Sequence, residues 1–136
     1  MPGSKTTKGK PNRKKGKYKK RILVIENDEI LAQLIKEALE GEGFTVEGAK
    51  DGAEGLERIK LNKYDVIISS LEMPRMKGDK LYLEVKKLSP DLAKRMIFVP
   101  GTITDFVKST GNRFLRKPFS LQQLVDLVKE LIPCNT

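Results

Sequence analysis

Histidine and tryptophan are absent from the 136-residue sequence, and cysteine occurs once, as Cys134. Without histidine the chain has no imidazole for acid–base catalysis or for binding a metal. A single cysteine cannot form an internal disulfide, and a free thiol is typical of a reducing cytosol. No apolar run reaches 18 residues and no signal-peptide pattern opens the chain. We therefore expect a cytoplasmic protein without a membrane span.

Acidic residues are missing from the first 21 positions, which hold ten of the 27 Lys and Arg residues. The rest of the chain then carries 17 basic and 18 acidic residues, so the formal charge of +9 comes from this tail. Residues 1–19 contain almost no apolar side chains, and we expect them to be disordered. The predicted organisation is a tail over 1–19, one domain over 20–132 and a short C-terminal tail over 133–136.

The basic tail has two interpretations, a solvated extension and an arm that binds polyanions. Nonspecific contact with nucleic acid would use the cations Lys10, Arg13, Lys14, Lys15, Lys17, Lys19 and Lys20. Base readout is not expected, because Tyr18 is the only aromatic residue there. An anionic membrane surface is the weaker alternative, since no apolar or lipidated anchor accompanies the charge.

Apolar runs and helical patterns alternate five times after the tail. Strands are predicted at 22–25, 44–47, 65–69, 96–99 and 114–115. Helices are predicted after Asn27 or Asp28, after Asp51, over 79–88, within 104–109 and after the cap Ser120. This alternation predicts a single doubly wound α/β domain with a parallel sheet, in which chemistry lies at the carboxyl ends of the strands.

Three segments at those strand ends carry a family resemblance. They are Ile-Leu-Val-Ile-Glu-Asn-Asp-Glu at 22–29, Asp-Val-Ile-Ile-Ser-Ser-Leu-Glu-Met-Pro-Arg-Met-Lys-Gly at 65–78, and Lys-Pro-Phe at 117–119. From about residue 20 to 131 the chain resembles a response-regulator receiver domain of two-component signalling, of the chemotaxis-regulator type. The resemblance implies five strands in the order 2-1-3-4-5 and five helices. It also implies an aspartate after strand 3 that accepts a phosphoryl group from a histidine kinase.

The residues at the family's functional positions depart from its pattern. Ser70 stands at the position of the acceptor aspartate, and Glu26 and Asn27 stand at the acidic pair that binds Mg²⁺. Pro100 replaces the switch Ser or Thr after strand 4, whereas Lys117 after strand 5 is retained. Asn27 has a second interpretation as a helix cap, and Ser70 as a small packing residue.

These departures weaken the case for a metal and for phosphotransfer. Mg²⁺ prefers several charged oxygens in octahedral geometry, and only Glu26, with Glu72 as a weaker candidate, remains to supply them. We therefore expect no bound metal or cofactor, and an ion pair between Lys117 and Glu26 in the pocket. The interval between residues 99 and 117 is also short, so helix 4 of the family is expected to be shortened.

The favoured function is a pseudo-receiver, a phosphorylation-independent and non-enzymatic adapter that binds a protein partner such as a histidine kinase. A first alternative is a phosphorylatable regulator that uses a displaced carboxylate, Glu72 or Asp28. A second is a nucleic-acid-associated protein acting through the tail. A flavodoxin-like or dinucleotide-binding protein is disfavoured, because the loop after strand 1, Glu-Asn-Asp-Glu, would repel phosphate.

Overall fold

The structure, a computed structural model, describes residues 19–132. The predicted tail therefore lies outside the described residues except for Lys19, as does the predicted C-terminal tail with Cys134. Within the described part, no helix is both long enough and apolar enough to cross a bilayer.

Four parallel strands form one sheet with helices between them. The strands are β1 (Arg21–Ile25), β2 (Thr45–Ala49), β3 (Val66–Ser69) and β4 (Met96–Phe98). The helices are α1 (Glu29–Glu40), α2 (Gly52–Leu61), α3 (Gly78–Leu88), α4 (Pro90–Ala93), α5 (Asp105–Thr110) and α6 (Leu121–Leu131). The strand order is β2-β1-β3-β4, with every pair parallel. The prediction of a doubly wound α/β fold is confirmed.

The predicted fifth strand at 114–115 is reduced to one bridge between Phe114 and Phe98. Backbone hydrogen bonds run from Phe98 N–H to Arg113 O, from Leu115 N–H to Phe98 O, and from Lys117 N–H to Pro100 O. A regular parallel ladder would place a bond from residue 100 to Leu115 between the last two. Pro100 has no N–H, so the ladder is interrupted there and the five-stranded prediction is corrected to four strands and a bridge.

Six helices, not five, are present between residues 19 and 132, because a four-residue helix follows α3. Ser89 ends α3 and caps this new helix, its side chain accepting a hydrogen bond from Leu92 N–H. Pro90 at the first helical position suits the turn, because the missing N–H is not needed there. The shortened helix predicted within 104–109 is α5, which has six residues and begins after the cap Thr104.

Two hydrophobic cores lie on opposite faces of the sheet. Leu23 and Ile25 of β1 point into the core covered by α2 and α3, whereas Ile22 and Val24 point into the core covered by α1 and α6. All four side chains are essentially inaccessible to solvent. A central strand buried on both faces explains why its sequence is continuously apolar.

Candidate functional site

The carboxyl ends of β1 and β3 bring three of the predicted site residues together. Glu26 directly follows β1 and Ser70 directly follows β3, where its N–H donates to Ile25 O at 3.0 Å. Lys117 is held at the end of β4 by the 2.8 Å hydrogen bond from its N–H to Pro100 O. The Lys117–Pro118 peptide bond is cis.

The side chains of Glu26, Ser70 and Lys117 contact one another and form what we term the pocket triad. Lys117 Nζ lies 2.8 Å from Glu26 Oε1 and 3.1 Å from Ser70 Oγ. The Ser70 hydroxyl donates a short hydrogen bond to the same Glu26 oxygen. The predicted ion pair between Lys117 and Glu26 is therefore present.

Burial makes the partners of Glu26 important for stability. Its side chain is 1% exposed, and a buried carboxylate is costly unless it is paired and hydrogen-bonded. Oε1 receives the two contacts of the pocket triad, and Oε2 accepts the Asp28 N–H at 3.0 Å. Both carboxylate oxygens of Glu26 are thus occupied by protein donors.

Of the two residues predicted as possible caps of α1, Asp28 is the cap and Asn27 is not. Asn27 is exposed and makes no side-chain hydrogen bond within residues 19–132. Asp28 is the N-cap of α1, its carboxylate accepting from the N–H groups of Ile30 and Leu31. The interpretation of Asn27 as the helix cap is wrong, because the helix begins one residue later than that role requires.

Glu72 does not reach the pocket. Its side chain is 82% exposed and lies 3.5 Å from Lys77 Nζ, a lysine at the start of α3. The structure therefore separates Glu72 from Glu26, although sequence spacing made both candidates for a metal.

Pro100 is buried two residues beyond β4, and its carbonyl oxygen accepts a hydrogen bond from the N–H of Lys117, a member of the pocket triad. Its ring carries neither a hydroxyl nor an N–H, so this side of the pocket has no side-chain donor at residue 100. The only polar atom that Pro100 contributes is its carbonyl oxygen, which accepts from Lys117.

An ion pair next to the pocket was not predicted from sequence. Arg75 donates through Nε to Asp51 Oδ2 at 2.7 Å and through Nη2 to Asp51 Oδ1 at 3.1 Å. The Arg75 guanidinium holds the pKa of the buried Asp51 carboxyl below its usual value, and the Glu54 N–H acts in the same direction. Asp51 was recognised as the start of α2, but nothing in the spacing indicates its partner 24 residues away.

Two glycines allow the loops around the pocket to pack closely. A Cβ on Gly78 would lie 2.5 Å from Ser70 O, and one on Gly52 would lie 2.2 Å from Met76 O. Gly78 N–H also donates to Leu71 O at 2.8 Å, which closes the β3–α3 loop. The position of Ser70 therefore depends on glycine at residue 78.

The pocket triad does not fit Mg²⁺. Mg²⁺ needs an octahedral set of oxygens, with carboxylates among them, whereas this pocket offers one carboxylate that is already paired with an ammonium. No group of three or more acidic, histidine or cysteine side chains within residues 19–132 is arranged to hold a metal.

A parallel sheet with a lysine, a carboxylate and a hydroxyl in contact at its carboxyl edge is typical of a receiver-like α/β domain. The family model for the response regulator receiver domain matches residues 22–129. The chain therefore belongs to the response regulator receiver domain family.

Named relatives and solved structures agree with this family. The chain is 31% identical over 114 residues to the transcriptional regulatory protein CutR of Streptomyces coelicolor, covering 82% of this chain and 52% of CutR. It is 35% identical to the sensor kinase CckA of Brucella abortus, covering 82% of this chain but 12% of CckA. The chain thus spans about half or less of the length of these two relatives.

Among solved structures, a CheY-like receiver domain protein of Methanospirillum hungatei superposes with a TM-score of 0.77 at 29% identity, covering 83% of this chain and 93% of that one. The response regulator TrrA of Thermotoga maritima, solved in complex with Mg²⁺ and BeF, superposes with a TM-score of 0.76 at 28% identity, covering 83% and 99%.

Proposed function

We propose that this chain acts in two-component signalling as a receiver-like adapter that binds a protein partner without becoming phosphorylated. The observation that carries the proposal is the buried pocket triad, in which Ser70 donates to Glu26 and Lys117 contacts both. The arrangement is complete in itself and presents no free carboxylate at the acceptor position.

The chemistry of residue 70 supports this proposal. In transfer from phosphohistidine, an acceptor oxygen attacks phosphorus, the P–N bond breaks and the imidazole nitrogen leaves with a proton. A carboxylate does this as an anion, whereas the Ser70 hydroxyl would first have to lose its proton. The product on serine would be a stable ester, which could not reset as an acyl phosphate does.

The charge of the pocket supports the same conclusion. Glu26 and Lys117 carry opposite charges at 2.8 Å, so together they supply no net negative charge to attract a divalent cation. Without a cation, the negative charge that develops on a transferring phosphoryl group would be opposed by Glu26 and balanced only by Lys117.

The alternative through a displaced carboxylate is disfavoured by two side-chain positions. Glu72 is paired with Lys77 at the surface, and Asp28 is occupied as the cap of α1. Each would have to leave these partners to accept a phosphoryl group beside Lys117.

The partner class follows from the family. One relative is a transcriptional regulatory protein and another a sensor kinase by name, and the family model is that of a response regulator receiver domain. We expect the partner of this chain to be a histidine kinase or another protein of that system.

Incubation with acetyl phosphate and Mg²⁺, followed by intact-mass spectrometry, tests the proposal. The expected result is no added phosphate on the full chain. The matched variant Ser70→Asp provides the control, because it restores an acceptor carboxylate in the same pocket. An added phosphate that hydroxylamine removes would indicate an acyl phosphate, and one that resists it would indicate phosphoserine; either on the unsubstituted chain contradicts the proposal.

Titration against a purified histidine-kinase phosphotransfer domain tests the adapter role. We expect Kd to be unchanged by acetyl phosphate and by Ser70→Ala. A Kd that changes tenfold or more on adding acetyl phosphate, which is about 1.4 kcal/mol of binding free energy, would contradict phosphorylation-independent binding.

A further inference from the structure

One side chain fastens the β3–α3 loop to the start of α2. Arg75 donates through Nε to Asp51 Oδ2 at 2.7 Å and through Nη2 to Asp51 Oδ1 at 3.1 Å, which is the two-pronged geometry in which a guanidinium binds a carboxylate. The Asp51 side chain is 4% exposed, whereas that of Arg75 is 57% exposed. We propose that Asp51 is the centre of a guanidinium-binding site, which Arg75 occupies from within the chain until an arginine of a partner protein replaces it.

The Asp51 carboxylate is held in place by bonds that do not involve Arg75. Asp51 is the N-cap of α2, where its Oδ1 accepts the Glu54 N–H at 2.9 Å and its carbonyl oxygen accepts the Gly55 N–H at 2.9 Å. Both bonds lie within the first turn of the helix and are independent of the β3–α3 loop. The carboxylate therefore keeps its position when the guanidinium leaves, and a buried carboxylate requires a new cationic partner.

The site favours a guanidinium over an ammonium group. Lys50 directly precedes Asp51, yet its side chain forms no ion pair with Asp51 in the part of the chain that the structure describes. The hydrogen bond from Arg75 is the main cause that lowers the pKa of Asp51, and the charge of Lys50 adds a smaller effect. Two parallel N–H donors match the two carboxylate oxygens, whereas an ammonium acts as a strongly hydrated point charge.

Arg75 reaches the site in a strained backbone conformation. Its φ is 65°, and the Met76 N–H donates to Pro74 O at 2.7 Å, so these three residues form a γ-turn with a positive φ at its centre. This form of the γ-turn is rare and strained for a residue with a Cβ. An arginine of another molecule reaches Asp51 without this strain. The exchange also keeps Asp51 paired, so it avoids the large cost of a buried carboxylate without a cation.

Arg75 can leave the site while the base of the loop stays closed. Leu71 is 4% exposed, and its carbonyl oxygen accepts the Gly78 N–H at 2.8 Å. Besides the ion pair, the bond that joins the turn to α2 runs from Gly52 N–H to Met76 O at 3.2 Å. Release of Arg75 therefore exposes the Gly52 amide to solvent, and this amide reports the exchange.

An arginine within a polypeptide fits the site better than the free amino acid. The hydrogen bond to Asp51 raises the pKa of Arg75, and the nearby carboxylates of Glu54 and Glu57 act in the same direction. These carboxylates repel the α-carboxylate of free arginine, which a residue inside a polypeptide lacks. Guanidinium binding at Asp51 does not involve residue 70, so it is independent of the chemistry in the pocket triad.

Chemical rescue of Arg75→Gly tests the site. Glycine removes the guanidinium and accepts a φ of 65° without strain, so this variant leaves Asp51 unpaired in a relaxed loop. We expect ethylguanidinium at about 20 mM to raise the ratio of folded to unfolded variant about tenfold in urea denaturation, as for a ligand with a Kd of about 2 mM. Ethylammonium at the same concentration should raise this ratio less than about twofold. If the variant folds only with ethylguanidinium present, recovery of the fold gives the same answer.

Two further variants are the controls for the rescue. In Asp51→Asn/Arg75→Gly, asparagine keeps a capping side chain but carries no charge. In Arg116→Gly, the removed guanidinium contacts a carbonyl, Gly101 O, and no carboxylate within residues 19–132. Neither control should respond to ethylguanidinium. No response in Arg75→Gly, or an equal response in Arg75→Gly and Arg116→Gly, overturns the proposal.

The exchange itself is tested by NMR on the unsubstituted chain with N-acetyl-arginine methylamide. At about 100 mM of this probe we expect protection of the Gly52 N–H from hydrogen exchange to fall about tenfold, and the Arg75 Nε–H signal to shift to that of an exposed arginine. The apparent affinity should be lower than for Arg75→Gly, because Arg75 competes for Asp51. Binding to Arg75→Gly without any change in the unsubstituted chain would make Arg75 a permanent structural partner and overturn the exchange.

Free L-arginine separates the two sources of a guanidinium. We expect it to bind Arg75→Gly about threefold more weakly than N-acetyl-arginine methylamide does, because it carries a carboxylate. Equal or tighter binding of L-arginine would identify the free amino acid as the ligand, and the assignment to a partner protein would then be wrong.

Discussion

Lys117 Nζ lies 2.8 Å from Glu26 Oε1, and this contact joins the segment that follows the Phe114 bridge to the residue after β1. The glutamate side chain is 1% exposed and the lysine side chain 31% exposed. The buried Glu26 carboxylate is therefore paired with an ammonium group that is still partly exposed to water. Removing either partner should cost more than removing one side of a surface pair.

A double-mutant cycle with Glu26→Gln and Lys117→Met measures this pair. We expect a coupling free energy of about 1–3 kcal/mol from chemical unfolding, because the charges are in contact and one is buried. The control cycle, Glu72→Gln with Lys77→Met, probes an ion pair whose side chains are 82% and 64% exposed. Its coupling should stay below about 0.5 kcal/mol. Equal coupling in the two cycles would contradict a structural role for the pocket triad.

Restoring an acidic acceptor should create affinity for Mg²⁺. In Ser70→Asp, a second carboxylate stands beside Glu26, and Asn27→Asp adds a third at the family position. We expect no Mg²⁺ binding to the unsubstituted chain by calorimetry, weak binding to Ser70→Asp, and tighter binding to the double variant. The variants should lose stability without Mg²⁺, because like charges are brought together, and recover it when Mg²⁺ is added. If the unsubstituted chain binds Mg²⁺ with a millimolar or lower Kd, the pocket already has enough negative charge to bind the ion.

Glycine at residue 52 should be required for the packing of α2 against the β3–α3 loop. An alanine Cβ there would meet Met76 O at 2.2 Å, so the loop must move. We expect Gly52→Ala to lower the free energy of unfolding by about 1–3 kcal/mol, measured in urea. Gly101→Ala is the control, because a Cβ at residue 101 meets nothing within 4 Å. A loss as large in the control would point to a backbone effect instead of a steric one.

The Asp51–Arg75 ion pair should make stability depend on pH. Arg75 lowers the pKa of Asp51 in the folded state, so the pair stabilises the fold above the unfolded pKa of about 4. This stability is lost as the pH falls through the lower, folded pKa. Thermal unfolding of Arg75→Gln should therefore differ most from the unsubstituted chain near about pH 7 and converge with it near about pH 2.

Arg116→Gln serves as the control for this pH dependence. Arg116 is exposed, and its guanidinium contacts a carbonyl, Gly101 O, without a carboxylate within residues 19–132. Its unfolding midpoint should run parallel to that of the unsubstituted chain across the same pH range. If the unfolding midpoint of Arg75→Gln differs from that of the unsubstituted chain by the same amount at every pH, the contribution of the ion pair does not depend on protonation of Asp51.

The sequence was sufficient to predict four parallel strands and the convergence of the pocket residues, but not the reduction of the fifth strand to a bridge. Buried parallel strands must be apolar on both faces, and their carboxyl ends must share one edge, so Glu26, Ser70 and Lys117 were predictable as neighbours. The ion pair between Lys117 and Glu26 was predicted from their charges, whereas the two contacts of Ser70 were not.

Other features depend on geometry that the sequence does not specify. The cap of α1 is Asp28 and not Asn27, and either residue type is an acceptable cap. The side chain of Glu72 is 82% exposed and lies beside Lys77, which spacing along the chain does not reveal. The partnership of Asp51 with Arg75 depends on a loop conformation in which Arg75 has a φ of 65°, uncommon for a residue with a side chain.

The proline at residue 100 also affects how copies of the chain can meet. A sheet edge with a regular row of free N–H and C=O groups is a template for strand addition by another molecule. On this side of the sheet the outermost segment, around Phe114, forms a single bridge to β4 and not a regular strand, so no such row is formed within residues 19–132. Intermolecular β-pairing is therefore left to the opposite edge, at β2.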